Sequence, residues 1–198
     1  MANKAMKTAR VWDLPTRLFH WALVGTVCTG WYLGEYRSFS TIQLHFYCGY
    51  ATGALLAFRL LWGLVGPRNI RLSALFPSPR RLRDYLKHVL RRSPSGVAGH
   101  NPIGSLSVIA MLLLLLTQVG TGLFSEDDSL FSKGPLANYA SEAMRLELTA
   151  VHYISSRLIL AVVILHVAAI LFYYIWKREN LIRPMITGWK SVKDDSSE

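Results

Sequence analysis

Apolar residues along this chain come in long blocks rather than in amphipathic stripes. Four blocks, at roughly 14–33, 42–65, 103–124 and 150–176, are each long enough to cross a bilayer as one helix. The segments between them differ in charge. Residues 34–41 hold one acid and one base, Glu35 and Arg37. Residues 66–101 are strongly basic, with Arg68, Arg71, Arg80, Arg81, Arg83, Lys87, Arg91 and Arg92 against Asp84. Residues 125–149 are acidic, with Glu126, Asp127, Asp128, Glu142 and Glu147 against Lys133 and Arg145, and the tail after Trp176 is basic again. Cytoplasmic loops carry the excess of Lys and Arg. The pattern therefore predicts an all-α fold, a four-helix transmembrane bundle with both termini cytoplasmic, with 1–198 forming a single membrane-integral domain.

Shorter signals refine this. In 79–92, PRRLRDYLKHVLRR, the spacing of Leu82, Tyr85, Leu86, Val89 and Leu90 predicts an amphipathic helix on the inner surface, its arginines toward headgroups. His88 lies in it as polar surface. Asn101 and Pro102 read as the cap and first residue of the third span. Trp12, Trp21, Tyr173, Tyr174 and Trp176 suit an inner aromatic belt, and Trp31, Tyr32, Phe46 and Tyr47 an outer one. Gly49 and Gly53 have the spacing of a close helix contact.

Composition argues against a soluble domain: 52% of residues are hydrophobic and only 17% charged. The net charge of +10 sits beside apolar spans, where it sets topology and meets anionic lipid, so nucleic acid is not the expected partner. No small-residue cleavage site follows the first block, which reads as a retained helix rather than a removed signal peptide. The two cysteines, Cys28 and Cys48, lie in apolar spans, and the absence of C-x-x-C-H excludes covalent c-type haem.

The candidate chemistry is in the histidines. His152 and His166 are fourteen residues apart in the fourth block, about 21 Å of helix and within about 40° of one face. The predicted topology puts His20 and His166 near the inner surface, and His45 and His152 near the outer one. Zinc or copper normally recruits three or four N/S ligands, and no Cys or Asp completes either pair. Haem iron needs only two axial imidazoles, and such a six-coordinate haem suits electron transfer. Gly49 and Gly53 share the His45 side of their helix, where a porphyrin could approach the backbone. Haem propionates want cations. Arg59, fourteen residues after His45, is the candidate at the inner level, and Arg157 at the outer. His100, at the inner end of the third span, could bond a propionate or a quinone, or face water.

Several stretches in order resemble the bacterial cytochrome b561 family, related to the cytochrome b subunit of nickel–iron hydrogenases. They are VWDLPTRLFHW, FRLLWGLVGP, GHNPIG, TGLFSEDD, GPLA, HYISSRLILAVVILH and RPMITG. The resemblance implies a four-helix core with two non-covalent haems b, with His20, His45, His152 and His166 as ligands. It also implies electron exchange between quinone and a partner protein.

The expected function is therefore transmembrane electron transfer in a bacterial inner membrane, between the quinone pool and a periplasmic redox partner such as a c-type cytochrome. Quinol oxidation or quinone reduction is the activity that would go with it. Two alternatives are a haem-bearing anchor subunit of a larger, hydrogenase-like oxidoreductase and, from another class, a histidine-dependent metal transporter. A purely structural anchor would leave the paired histidine depths as coincidence.

Overall fold

The computed structural model describes residues 6–97 and 99–193. The chain is mostly helical: α1 is Leu14–Glu35, α2 Ile42–Val65, α3 Pro79–Leu86, α4 Pro102–Gly122, α5 Glu142–Ile175 and α6 Ile182–Thr187. Four short strands accompany them: β1 (Met6–Arg10) pairs antiparallel with β4 (Trp189–Lys193), and β2 (Glu126–Asp127) with β3 (Ser132–Lys133).

Three helices, α2, α4 and α5, are long and apolar enough to cross a membrane, with mean hydropathies of 1.4, 2.1 and 2.7 over their best windows. Only 11% of the window is buried within the protein in α4 and in α5. Such exposed apolar surface has to be covered by lipid. Although α1 has comparable length, Arg17, His20 and three threonines (Thr16, Thr26, Thr29) dilute its hydropathy. The fourth span starts earlier than its apolar block suggested. Ser141 Oγ accepts from Met144 N at 3.3 Å and caps α5, whose first residue, Glu142, lies eight residues upstream of Ala150. The predicted cap of the third span is present as read, with Asn101 Oδ1 accepting from Gly104 N at 2.8 Å.

Contacts divide the chain into two compact units: Met1–Leu18, Leu60–Ile109 and Ile164–Glu198 form one, Phe19–Arg59 and Ala110–Val163 the other. In the first, β1 and β4 join the two ends of the chain. Gly188, at φ 88, ends α6, and its carbonyl accepts from Val11 N and Trp12 N. Any side chain there would strike the Trp12 carbonyl, 2.7 Å from a Cβ. Val11, Trp12, Ile70 and Val192 form the local core. Trp12 thus belongs to packing rather than to a lipid-facing belt, and so does Tyr173, which bonds Tyr85 Oη and Asn101 Nδ2.

The amphipathic stretch is helical only to Leu86, not to Arg92. Trp176 Nε1 donates to Leu90 O at 2.9 Å and Lys177 Nζ to Arg91 O at 3.1 Å, so the end of α5 takes the carbonyls that a longer helix would present. Glu179 fixes the rest of this loop. It accepts from Ser95 N and Oγ at 2.6 and 2.8 Å and pairs with Lys190 at 2.7 Å. Burial pushes its carboxyl upward, but Lys190 and Ser95 outweigh that and hold it below its ordinary range.

Candidate functional site: a two-histidine cavity

The second unit contains a cavity of about 530 Å³ lined by residues of α1, α2, α4, α5 and the 125–135 segment. Its volume falls within the roughly 300–1,000 Å³ typical of cofactor pockets. His45 and His152 both line it, with ring centroids 6.1 Å apart and planes at 82°. Among the described residues, no three of His, Cys, Asp and Glu converge as a metal cage would require.

Each ring is held by the helix that precedes its own. His45 Nδ1 lies 2.8 Å from Gly30 O, and His152 Nδ1 lies 3.0 Å from Gln118 O. A carbonyl oxygen only accepts, so both Nδ1 atoms carry the hydrogen and both Nε2 atoms keep a lone pair. Four residues after each carbonyl comes a glycine that makes room for the ring. A Cβ on Gly34 would stand 2.9 Å from His45 Cε1, and one on Gly122 would stand 2.9 Å from His152 Cε1. Neither glycine stood out in the sequence. The signal that could have found them is the shared four-residue step, Gly30 to Gly34 and Gln118 to Gly122.

His152 has further company. Thr121 Oγ1 lies 3.3 Å from its Nδ1, and Gln118 Nε2 lies 3.0 Å from its Nε2. The other end of that amide accepts from buried Ser155 Oγ. Trp31 also lines the cavity, and its buried Nε1 meets no hydrogen-bond acceptor among the described residues. Sequence reasoning assigned it only to an aromatic belt.

These features fit haem. His45 and His152 are the residues that would hold a haem in this cavity, His152 on exchanging the Gln118 amide at its Nε2 for iron, and Trp31 Nε1 leaves a spare donor in the wall.

The other predicted site residues fall as follows. Gly49 lines the cavity, and its missing side chain would meet nothing within 4 Å. Gly53 instead packs on Val119, whose Cγ1 lies 3.3 Å from the would-be Cβ. Arg157 pairs with Glu35 at 2.7 Å and sits over the Tyr153 ring. Arg59 is 5% exposed on α2. His20, in the same unit, stacks edge-on against Trp21, while His166 belongs to the other unit. His100 lies against Trp12 with centroids 4.7 Å apart, outside this cavity.

Two of the five acids of the 125–149 segment are paired with cations. Lys133 and Arg145 both bind Glu126, and Arg37 binds Asp127 at 2.6 Å. Lys133 and Arg145 hold the Glu126 carboxyl below its ordinary range. For Asp127, burial pushes upward, but Ser129 and Arg37 prevail and lower it.

A membrane-embedded helical protein with two facing imidazoles is of the b-type cytochrome class. Residues 11–188 match the prokaryotic cytochrome b561 family, and the chain belongs to it. It is a membrane haem b protein of electron transport. Curated relatives include a probable Ni/Fe-hydrogenase B-type cytochrome subunit of Azotobacter vinelandii, 25% identical over 93% of this chain and 89% of its own length. The Escherichia coli K12 probable Ni/Fe-hydrogenase 1 B-type cytochrome subunit is 26% identical over 92% and 91%, respectively. The Rhodobacter capsulatus protein of the first name is 23% identical over 95% and 83%. No solved structure matches the chain.

Proposed function

We propose that this chain is a four-helix, multi-pass protein of a bacterial inner membrane, with both termini cytoplasmic. It carries two haems b and passes electrons between the quinone pool and a periplasmic redox partner such as a c-type cytochrome. The observation that carries this reading is the pair His45 and His152, 6.1 Å apart with both Nδ1 atoms committed to carbonyls. These two histidines ligate the outer haem, and His20 and His166 the inner one, as their depths in the predicted topology suggest. When bound, each haem would supply one-electron chemistry. The protein holds the ligand tautomers and places the cations. Arg59 is the partner proposed for inner propionates, and His100 remains the candidate for a quinone or propionate bond. Arg157 can serve an outer propionate only in competition with Glu35.

A pyridine haemochrome assay on the purified protein should return two haems per chain. A value of one would overturn the four-ligand assignment.

The relatives' names favour a second reading, a haem-bearing anchor subunit of a hydrogenase-like complex. Isolation from native membranes, followed by identification of co-purifying chains, separates the two. A stoichiometric hydrogenase subunit would select the second.

A further inference from the structure

The His45–His152 cavity reaches the β2–β3 hairpin, whose Asp127, Asp128, Ser129 and Ser132 line the same space. We propose that this hairpin is the docking point of a soluble electron-transfer protein that presents an apolar patch ringed by basic side chains. Phe131 is its anchor, and Asp128, Glu142 and Glu147 are the attracting charges. The inference rests on the haem-bearing reading above and names the face its partner meets.

Phe131 is 89% exposed and Tyr139, on the same 125–149 segment, 84%. Phe131 also sits at φ 48, a left-handed conformation that bulky residues rarely adopt. The hairpin carrying it is braced on both strands, through Arg37 to Asp127 on β2 and through Glu126 to Lys133 and Arg145. An aromatic ring held outward on a rigid support is the form that interface anchors take.

Of the five acids that the sequence places on this segment, Glu126 and Asp127 are spent on ion pairs. Arg37, Lys133, Arg145 and Arg157 are all engaged, by Glu35, Glu126 and Asp127. Asp128, Glu142 and Glu147 are exposed and take part in no ion pair among the described residues. They therefore set the sign of the field that a partner meets, and a basic rim complements it. Lipid is the poorer occupant, because burying Phe131 in hydrocarbon would carry Asp128 and Lys133 toward it.

The test uses haem-loaded protein in nanodiscs of zwitterionic lipid. Zinc-substituted basic cytochrome c, which is redox-inert, serves as the binding probe. Asp128→Asn/Glu142→Gln/Glu147→Gln should weaken Kd about tenfold at low salt and converge on the parent at high salt. Phe131→Gly should weaken Kd about tenfold at either salt concentration. Its thermal stability should hold or rise, because glycine adopts positive φ freely. With ferric cytochrome c as acceptor, one electron passes from ferrous haem b to ferric haem c, and the second-order rate should fall in parallel. Unchanged Kd in both variants, with haem retained, would overturn the docking proposal and leave the haem reading standing. A parent without haem would overturn both.

Discussion

His45 and His152 enter one cavity by the same device, but their surroundings differ. Both are oriented by a carbonyl one helix back and seated against a glycine four residues on. Only His152 adds Thr121 at its Nδ1 and the Gln118–Ser155 pair at its other edge. Ring placement is thus shared between the two helical hairpins, whereas hydrogen bonding to the ring is concentrated on one. Geometry and electronic tuning can then be changed separately.

The largest effect tests whether the two rings act as a pair. His45→Ala and His152→Ala should each abolish the same haem component in a redox-resolved optical titration. His20→Ala and His166→Ala should each abolish the other. If His45→Ala and His152→Ala removed different components, the shared cavity would not be a shared haem site.

Next come the glycines, which test whether the two seats are equivalent. Gly34→Ala and Gly122→Ala each bring a Cβ to within 2.9 Å of a ring that its carbonyl prevents from moving freely. Each should lower haem retention about tenfold, at the lower end of what outer-shell changes cost a metal site. Haem retained per chain after dialysis against an apo-haem acceptor measures this. A tolerated alanine at one position would mark that ring as the loosely held one.

Thr121→Val isolates the asymmetry. Its hydroxyl donates to Thr117 O at 2.7 Å, so toward His152 it acts as an acceptor of the Nδ1 hydrogen. Losing it makes the imidazole a weaker donor to iron and favours the reduced state. A net hydrogen bond of about 1 kcal/mol corresponds to at most about 40 mV for one electron. One midpoint potential should rise within that limit while the other stays fixed. A downward shift would contradict the assigned tautomer.

Much of this was legible in the sequence because bilayer physics acts on long blocks. Three of the predicted spans coincide with helices that length and composition mark as membrane-crossing, and α2 was placed residue for residue. The start of α5 was hidden because EAMRLELT is charged and leaves no apolar trace, although Ser141 caps it. His45 and His152, which line the cavity, could be singled out because a polar ring in an apolar run stands out. Gly34, Gly122 and Gln118 were not, since their roles depend on which helix lies opposite, a tertiary fact with no local pattern. The 125–149 loop misled in the same way. Its acids appeared as one cluster, while the fold spends Glu126 and Asp127 on internal cations and leaves Asp128 outside.

That division leads to the smallest expected effect, which concerns the loop wall of the cavity. Carbonyl bonds seat both rings without a proton equilibrium in the loop. The loop wall instead depends on Glu126, facing Lys133 and Arg145, and on Asp127, facing Arg37. Both carboxyls lie below their ordinary ranges in the folded protein. Groups of that kind stabilise fully above their unfolded values, near 4, and the contribution disappears as pH falls through the lower folded values. The hairpin should therefore stay closed at neutral pH and loosen only in acid below about 4. Limited digestion with pepsin across that range, with and without Glu126→Gln, measures it. The parent should show cleavage within 125–135 that rises as pH falls, after correction for the protease's own pH profile. Glu126→Gln should show it already at the upper end of the range and change less across it. Identical profiles in the two proteins would mean that the Glu126 ion pairs do not hold this wall, and that Lys133 and Arg145 serve it only through packing.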